Sequence, residues 1–436
     1  MTPTIDQIAA QLQGYDPKSL RADAVLQFLY KLVEPVAEVE QVAVFDALDR
    51  ILAQDIVSPI SVPPHDNSAM DGFAFDGAAL QPGQALSLQV VGTALAGQPW
   101  QGTVGPGQAL KIMTGAVMPA GLDTVAPQEL VQSTADTVTI AAGVLAQGDN
   151  RRKLGEDLMQ GRPALRQGQR LDPAALGLIA SLGIAQVPVW RRLRVAYFST
   201  GNEILSLGDA PRPGAVYDSN RYTVFGMLRR LGVEVIDMGV VADAPYVLEQ
   251  AFTQAAAQAD AIITSGGVSV GEADYTKAMM AKLAGDSGGV AFWRIAMRPG
   301  RPMAVGRISA AQGHGDTGRS AVLFGLPGNP VAVMVTFLAF VRPALLRMMG
   351  CDMPAIPMLR AHSAEPIRKK AGRTEYQRGI VSVASDGSLQ VCTTGNQGSG
   401  VLSSMVQANG LIVLGHDQGN VAVGDEVDVM MFDGVL

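Results

Sequence analysis

The chain has 436 residues, 48% of them hydrophobic and 17% charged, with a formal net charge of −7 and a pI near 5.2. That length exceeds what one core supports, so about three domains are expected. The acidic balance excludes a general nucleic-acid binder, which carries a basic surface.

Two cysteines, Cys351 and Cys392, and four scattered histidines, His65, His314, His362 and His416, form neither a disulfide framework nor a zinc-ligand pattern. The first residues lack the basic segment and apolar core of a secretion signal. The longest apolar run, Val331 to Val341, has the length of a core helix and not of a membrane span. A cytoplasmic protein without a membrane partner is expected.

In chain order, residues 1–17 are polar and proline-punctuated and are expected to be loose. Ser19 can cap a helix through Leu20, Ala24, Val25, Phe28, Leu29 and Leu32, and a second short helix fits Val44 to Leu52. From about Leu86 to Val144, short alternating runs separated by glycine read as a small all-β module. Asp172-Pro173 starts a helix that Gly183 ends. The expected organisation is a discontinuous N-terminal domain (residues 1–60 and 150–190) with a β-rich domain (61–149) inserted in it. An α/β domain (191–347) and a C-terminal β domain (348–436) follow.

Residues 191–347 alternate strand and helix, which implies βα units and a mainly parallel sheet covered on both faces. Ligands bind at the carboxyl ends of such strands. There the sequence places Ser199-Thr-Gly-Asn-Glu203, Asp243, Ser265-Gly266-Gly267-Val-Ser269-Val-Gly271 with Asp274, Arg298-Pro-Gly-Arg301, and Gly325-Leu-Pro327-Gly328-Asn329-Pro330. Together they offer donors for phosphate, carboxylates for Mg²⁺ and guanidinium groups for an oxyanion. Each has a plainer reading. Asp218, Ser219, Asp243 and Asp274 can be helix N-caps, Glu203 a solvated loop residue, and Arg294 a side chain that snorkels from an apolar strand. Two arginines around a Pro-Gly turn suit a multiply charged anion better than a solvated surface. No Walker A or Gly-x-Gly-x-x-Gly pattern is present, which weakens ATPase and dinucleotide readings.

The motifs Asp66-Asn-Ser-Ala-Met-Asp-Gly72, Ile112-Met-Thr-Gly115, Ser199-Thr-Gly201 with Glu203, Tyr217-Asp-Ser-Asn220, Ser265 to Tyr275, Gly325 to Pro330, Gln377-Arg-Gly379 and Gln397-Gly-Ser399 occur in this order. In combination they resemble the molybdopterin molybdenumtransferase (MoeA / gephyrin E-domain) family, from about residue 20 onward. The resemblance implies an elongated homodimer of four-domain subunits. It implies insertion of molybdate into the dithiolene of adenylylated molybdopterin, with Mg²⁺ as cofactor and AMP released. An upstream molybdopterin adenylyltransferase would be a partner.

Asp71, Thr114, Arg152, Glu203, Asp243 and Asp274 match family positions linked to activity. In such a site Asp274 with Asp243 or Glu203 would steer Mg²⁺. Ser265, Gly266, Gly267, Ser269, Gly271, Pro327, Gly328 and Asn329 would bind the phosphorylated substrate. Arg378 and Ser399 match molybdate-binding positions, and Arg294, Arg298 and Arg301 stand where the family commonly has lysine. Asp71, Thr114 and Arg152 would complete the cleft from the partner subunit. An adenylyltransferase acting on molybdopterin itself and a non-catalytic scaffold of the same fold are the alternatives. Molybdate and tungstate are not distinguished.

Overall fold

In a computed structural model, residues 3–267, 275–284, 289–310, 320–352 and 356–433 are described. Ser269, Gly271, Asp274 and His314 lie outside them.

The centre is a six-stranded sheet. Its spatial order is Glu234–Val241, Arg194–Thr200, Ala261–Ser265, Ser320–Leu326, Pro302–Ser309 and Val290–Arg294. The first four strands pair in parallel, and the last two are joined by antiparallel pairings, so that only Pro302–Ser309 runs against the rest. Successive side chains of a strand face opposite ways, and both faces are filled. Ala196, Phe198, Ile262 and Leu323 pack under the helices Pro245–Gln258 and Tyr275–Ala284. Val195, Tyr197, Ile263 and Phe324 pack against the helix Ser219–Leu231, the N-terminal helix Ala22–Leu32 and the long helix Pro330–Met348. Residues 331–341 of that last helix are almost entirely apolar because they are buried inside the protein on every side.

The strand Val39–Ala43 pairs antiparallel with Gln186–Trp190, so the chain leaves and re-enters one small domain. Its own core contains Leu52, Leu171, Ile179, Val187 and Val189. Between these strands lies a second six-stranded sheet, running from Gly72–Phe75 to Thr137–Ile140 in sequence. At the C-terminus, Thr374–Val383, Leu389–Thr393, Leu359–Ser363, Glu426–Met431 and Gly410–Leu414 pair in a ring. Gly410–Leu414 returns to Thr374–Val383, which closes a small barrel and leaves it no free edge. The pair Met297–Arg298 runs parallel to Thr374–Glu375 and ties the barrel to the central domain.

The multi-domain α/β-plus-β architecture matches the sequence expectation. Several elements do not. Residues 1–17 were expected to be loose, yet Ile5–Ala10 is a helix; Thr4 and Gln7 form a capping box at its start, and Ile5 and Ile8 enter the core. Ser19 does not cap the next helix, which begins at Ala22 after Arg21 with no side-chain cap. The apolar run Val44 to Leu52 forms only a short turn, Val44–Asp46, because Ile51 and Leu52 are drawn into bridges with Arg170 and Val189. Residues 290–298 form two strands, Val290–Arg294 and Met297–Arg298, belonging to two sheets, and Pro302–Ser309 is a strand that alternation of strand and helix did not reveal. Antiparallel strands need no crossover helix, so that signal was missing there.

Candidate active site

Beneath the carboxyl ends of the parallel strands, Tyr197, Ser199 and Ser265 exchange hydroxyl hydrogen bonds at 2.7–3.1 Å. Burial holds the Tyr197 hydroxyl well above its ordinary pKa, so it stays protonated in this network. The network is the floor on which the glycine turn sits. Gly266 has φ +89°, and a Cβ there would lie 2.5 Å from the Thr200 carbonyl oxygen. Only glycine permits the turn to pass so close to the neighbouring strand end.

Above this floor lies a cleft of about 810 Å³. One wall carries Glu203 and Asp243, at the ends of the first two strands in sequence. The Glu203 carboxylate folds back over Gly201, where a Cβ would sit 2.7 Å from both its oxygens. Asp243 does not cap its following helix. Its backbone N–H donates to Asn202 at 3.3 Å, and its carboxylate accepts the Thr276 hydroxyl at 3.3 Å. The glycine turn, Gly266-Gly267, and the segment Pro327-Gly328-Asn329 at the start of the long helix form the base. A helix start of this kind attracts anions.

The cleft also has a basic part. Arg298 and Arg301 flank the Pro299-Gly300 turn. The C-terminal barrel contributes Arg373 and the loop Gln397-Gly398-Ser399. That loop is fixed from two sides. The Ser399 carbonyl accepts the Val331 N–H at 3.1 Å, and the Arg378 guanidinium donates to the Asn396 and Gly398 carbonyls at 3.1 and 3.0 Å. Arg378 is 1% exposed, and its Nε donates to Ser404 at 3.0 Å. Burial, with Arg298 close by, pushes its guanidinium down to about 10.

A second cavity of about 570 Å³ adjoins the first and shares Thr200, Glu203, Gly266, Gly328 and Asn329 with it. Ser265, Asp218 and Asn220 face this second space. Asp218 is the N-cap of Ser219–Leu231, accepting the Arg221 N–H at 3.0 Å through Oδ1. Its Oδ2, the Thr200 hydroxyl and the Asn220 Oδ1 are buried without a protein partner. Asn220 is orientated by its Nδ2, which donates to the Gly328 carbonyl at 2.7 Å.

The structure therefore brings together Glu203, Asp243, Gly266, Gly267, Arg298, Arg301, Pro327, Gly328, Asn329 and Ser399. Ser265 lines the adjoining cavity. Arg378 sits behind the wall and not on it. Arg294, at the end of its strand, is exposed and does not line the cleft. Asp71 and Thr114 meet in the inserted β domain, away from this lining. The Thr114 N–H and hydroxyl each donate to Asp71 Oδ1 at 2.7 Å, and the backbone N–H bond, followed by the hydroxyl, holds the Asp71 carboxyl below its usual range. Arg152 lies on a two-residue strand paired with Asn67–Ser68. Among the described residues no group of three or more metal-type ligands occurs. Glu203 and Asp243 nevertheless fit Mg²⁺, which characteristically takes one or two carboxylates and completes its shell with water and substrate phosphate. Arg373 was not singled out in the sequence. Its signal is the period of two in Arg373, Glu375 and Gln377, which places all three on one side of a strand.

Fold and site define a multi-domain α/β protein with a cleft lined by both its central domain and its C-terminal barrel. Three family models match consecutively: the MoeA N-terminal region (domain I and II) over residues 20–183, a probable molybdopterin binding domain over 196–347, and the MoeA C-terminal region (domain IV) over 360–432. The chain is 41% identical over 392 residues to a molybdopterin molybdenumtransferase of Haemophilus influenzae, covering 90% of this chain and 93% of that protein. It is 34% identical over 426 residues to one of Nostoc sp., covering 96% and 95%. A crystal structure of the molybdopterin biosynthesis moeA protein from Pyrococcus horikoshii superposes with a TM-score of 0.78 at 25% identity, covering 95% of this chain and all of that one. The chain belongs to the molybdopterin molybdenumtransferase (MoeA) family.

Proposed function

We propose that this protein inserts molybdenum from molybdate into molybdopterin presented as its adenylylated form, and releases AMP. The observation that carries this is the presence, in one cleft, of the carboxylates Glu203 and Asp243 with Arg298, Arg301 and Ser399. Such a cleft suits a ligand with a phosphoanhydride on one side and a tetrahedral dianion on the other.

In this reading the Gly266-Gly267 backbone and the start of the long helix hold phosphate oxygens. Arg298 and Arg301 bind the oxyanion through planar, permanently charged forks. The loop ending at Ser399, pinned by Arg378, adds a hydroxyl donor. The unpartnered acceptors Asp218 Oδ2 and Asn220 Oδ1 in the adjoining cavity suit the N–H edge of a pterin. Glu203 and Asp243 would hold Mg²⁺, which would supply positive charge at the phosphoanhydride. Asp71, Thr114 and Arg152 act at the cleft of a second subunit in a homodimer, and a molybdopterin adenylyltransferase supplies the substrate.

The test is direct. Purified protein is given adenylylated molybdopterin, molybdate and Mg²⁺, and AMP and active cofactor are measured. Molybdate-dependent release of AMP with cofactor formation is expected; no AMP above background contradicts the proposal.

A further inference from the structure

Thr276 does not line the cleft, yet it touches two groups that do, the Asp243 carboxylate and the Gly267 turn. We propose that Thr276 is a positioning residue: it fixes which oxygen Asp243 offers to a divalent cation and sets the distance between that carboxylate and the glycine turn. This inference rests on reading Glu203 and Asp243 as the Mg²⁺ site.

The Asp243 carboxylate is free to be positioned. An aspartate just before a helix commonly caps it. At the start of Pro245–Gln258, however, Ala244 holds the cap position and no side chain bonds to the helix end. Asp243 accepts the Thr276 hydroxyl at Oδ1 instead, at 3.3 Å, while its N–H donates to Asn202 Oδ1 at 3.3 Å. Backbone and side chain are thus tied to different neighbours. Oδ2 has no protein partner among the described residues and is the oxygen left for a cation. Hydrogen bonds around catalytic groups are often this long before substrate binds, and they tighten in the complex.

The plain alternative is a threonine that only completes a helix start. Two observations oppose it. Thr276 is 0% exposed, so its hydroxyl needs a partner. Threonine can bond to nearby backbone, but this one reaches an aspartate 33 residues earlier. Its other side backs the glycine turn: a Cβ on Gly267, whose φ is +65°, would lie 2.5 Å from the Thr276 Cβ. One side chain therefore spans the turn that holds phosphate and the carboxylate that holds the cation. The helix carrying it, Tyr275–Ala284, is itself fixed against Pro245–Gln258. Leu248, Phe252, Met279 and Met280 share one core, and Lys282 pairs with Glu249 at 2.8 Å. Thr276 cannot drift from Asp243 without disturbing that close-packed core.

The probe is Mn²⁺, which takes the same oxygen ligands as Mg²⁺, titrated into the full chain and followed by electron paramagnetic resonance. T276V keeps the shape and removes the hydroxyl. It is expected to raise the Kd for Mn²⁺ about tenfold or more, the scale on which partners that orient a metal ligand act. T276S, which keeps the hydroxyl, should bind Mn²⁺ close to wild type. In AMP release, T276V should need more Mg²⁺ for half-maximal rate while the KM for molybdate stays within about twofold, a split that general loss of structure does not produce. Wild-type Mn²⁺ affinity in T276V, or a loss in T276S equal to that in T276V, overturns the assignment. An unchanged Mg²⁺ requirement in T276V overturns it as well. Should T276V not fold, T276A decides on the same readings. If Mn²⁺ binding depends on Thr276 but wild type releases no AMP, the functional reading fails while the positioning role stands.

Discussion

At the scale of single residues, the cleft works by fixed geometry. Arg298 and Arg301 flank one Pro-Gly turn, whose backbone fixes where their side chains start, and each presents a planar charged fork. R301A is therefore expected to raise the KM for molybdate about tenfold with a smaller change in kcat, read by steady-state AMP release. Asp71 offers a test independent of turnover. Its carboxyl is held low by the Thr114 N–H first and the Thr114 hydroxyl second. A depressed folded pKa contributes stability at pH above the unfolded value of about 4, and this is lost as pH falls through the lower folded value. In T114A, which keeps the N–H bond, the Asp71 titration midpoint should move up towards the ordinary value, as followed by carboxyl-carbon NMR. An unmoved midpoint contradicts a role for the hydroxyl. Much of the site was readable here: Glu203, Asp243, Arg298, Arg301 and Ser399 were marked by strand-end position or by motif. Arg373 was not, because an arginine opening a strand looks like surface until its carboxylate is seen to be buried. Arg378 was marked, but sequence does not tell a side chain on a cleft wall from one that holds the wall up.

At the scale of elements, two joints carry the site. One is the glycine turn after Ala261–Ser265. G266A places a Cβ 2.5 Å from the Thr200 carbonyl at a positive φ. The strand end must then move, and AMP release is expected to fall at least about a hundredfold, because a misplacement of about 1 Å can cost that much. Activity near wild type in a folded G266A contradicts the turn's role. The other joint is Arg191, between the N-terminal domain and the central sheet. It donates to both Asp260 oxygens at 3.0 Å and to Glu38 at 2.9 Å, and Asp260 also accepts the Arg194 N–H at 2.8 Å. R191A leaves Asp260, whose side chain is only 14% exposed, without its cation and should destabilise by about 3 kcal/mol, measured by urea denaturation. Elements with clear end signals, such as Pro173–Ser181 with Asp172-Pro173 at its start, were legible beforehand. Val44 to Leu52 was not, since its apolar spacing serves bridges to distant residues that a local pattern does not contain.

At the scale of the whole molecule, the chain divides the labour between separate units. The central sheet and the barrel build the anion cleft, while Asp71, Thr114 and Arg152 sit on or beside the inserted β domain, away from its lining. If a second subunit brings them to the cleft, D71N and D243N should each be inactive alone. In a mixture allowed to exchange subunits, half the dimers would be mixed and each would hold one intact site, restoring about a quarter of wild-type activity. No recovery in demonstrably mixed dimers contradicts a shared site. Closure of the barrel was not legible in the chain, because it depends on a long-range pairing of Thr374–Val383 with Gly410–Leu414. The most direct measurement is AMP released by the purified protein from adenylylated molybdopterin, with and without molybdate, in wild type and D243N. Release that requires molybdate and is lost in D243N is predicted. Release that ignores molybdate, or survives in D243N at the wild-type rate, contradicts the assignment of this cleft as the place of metal insertion.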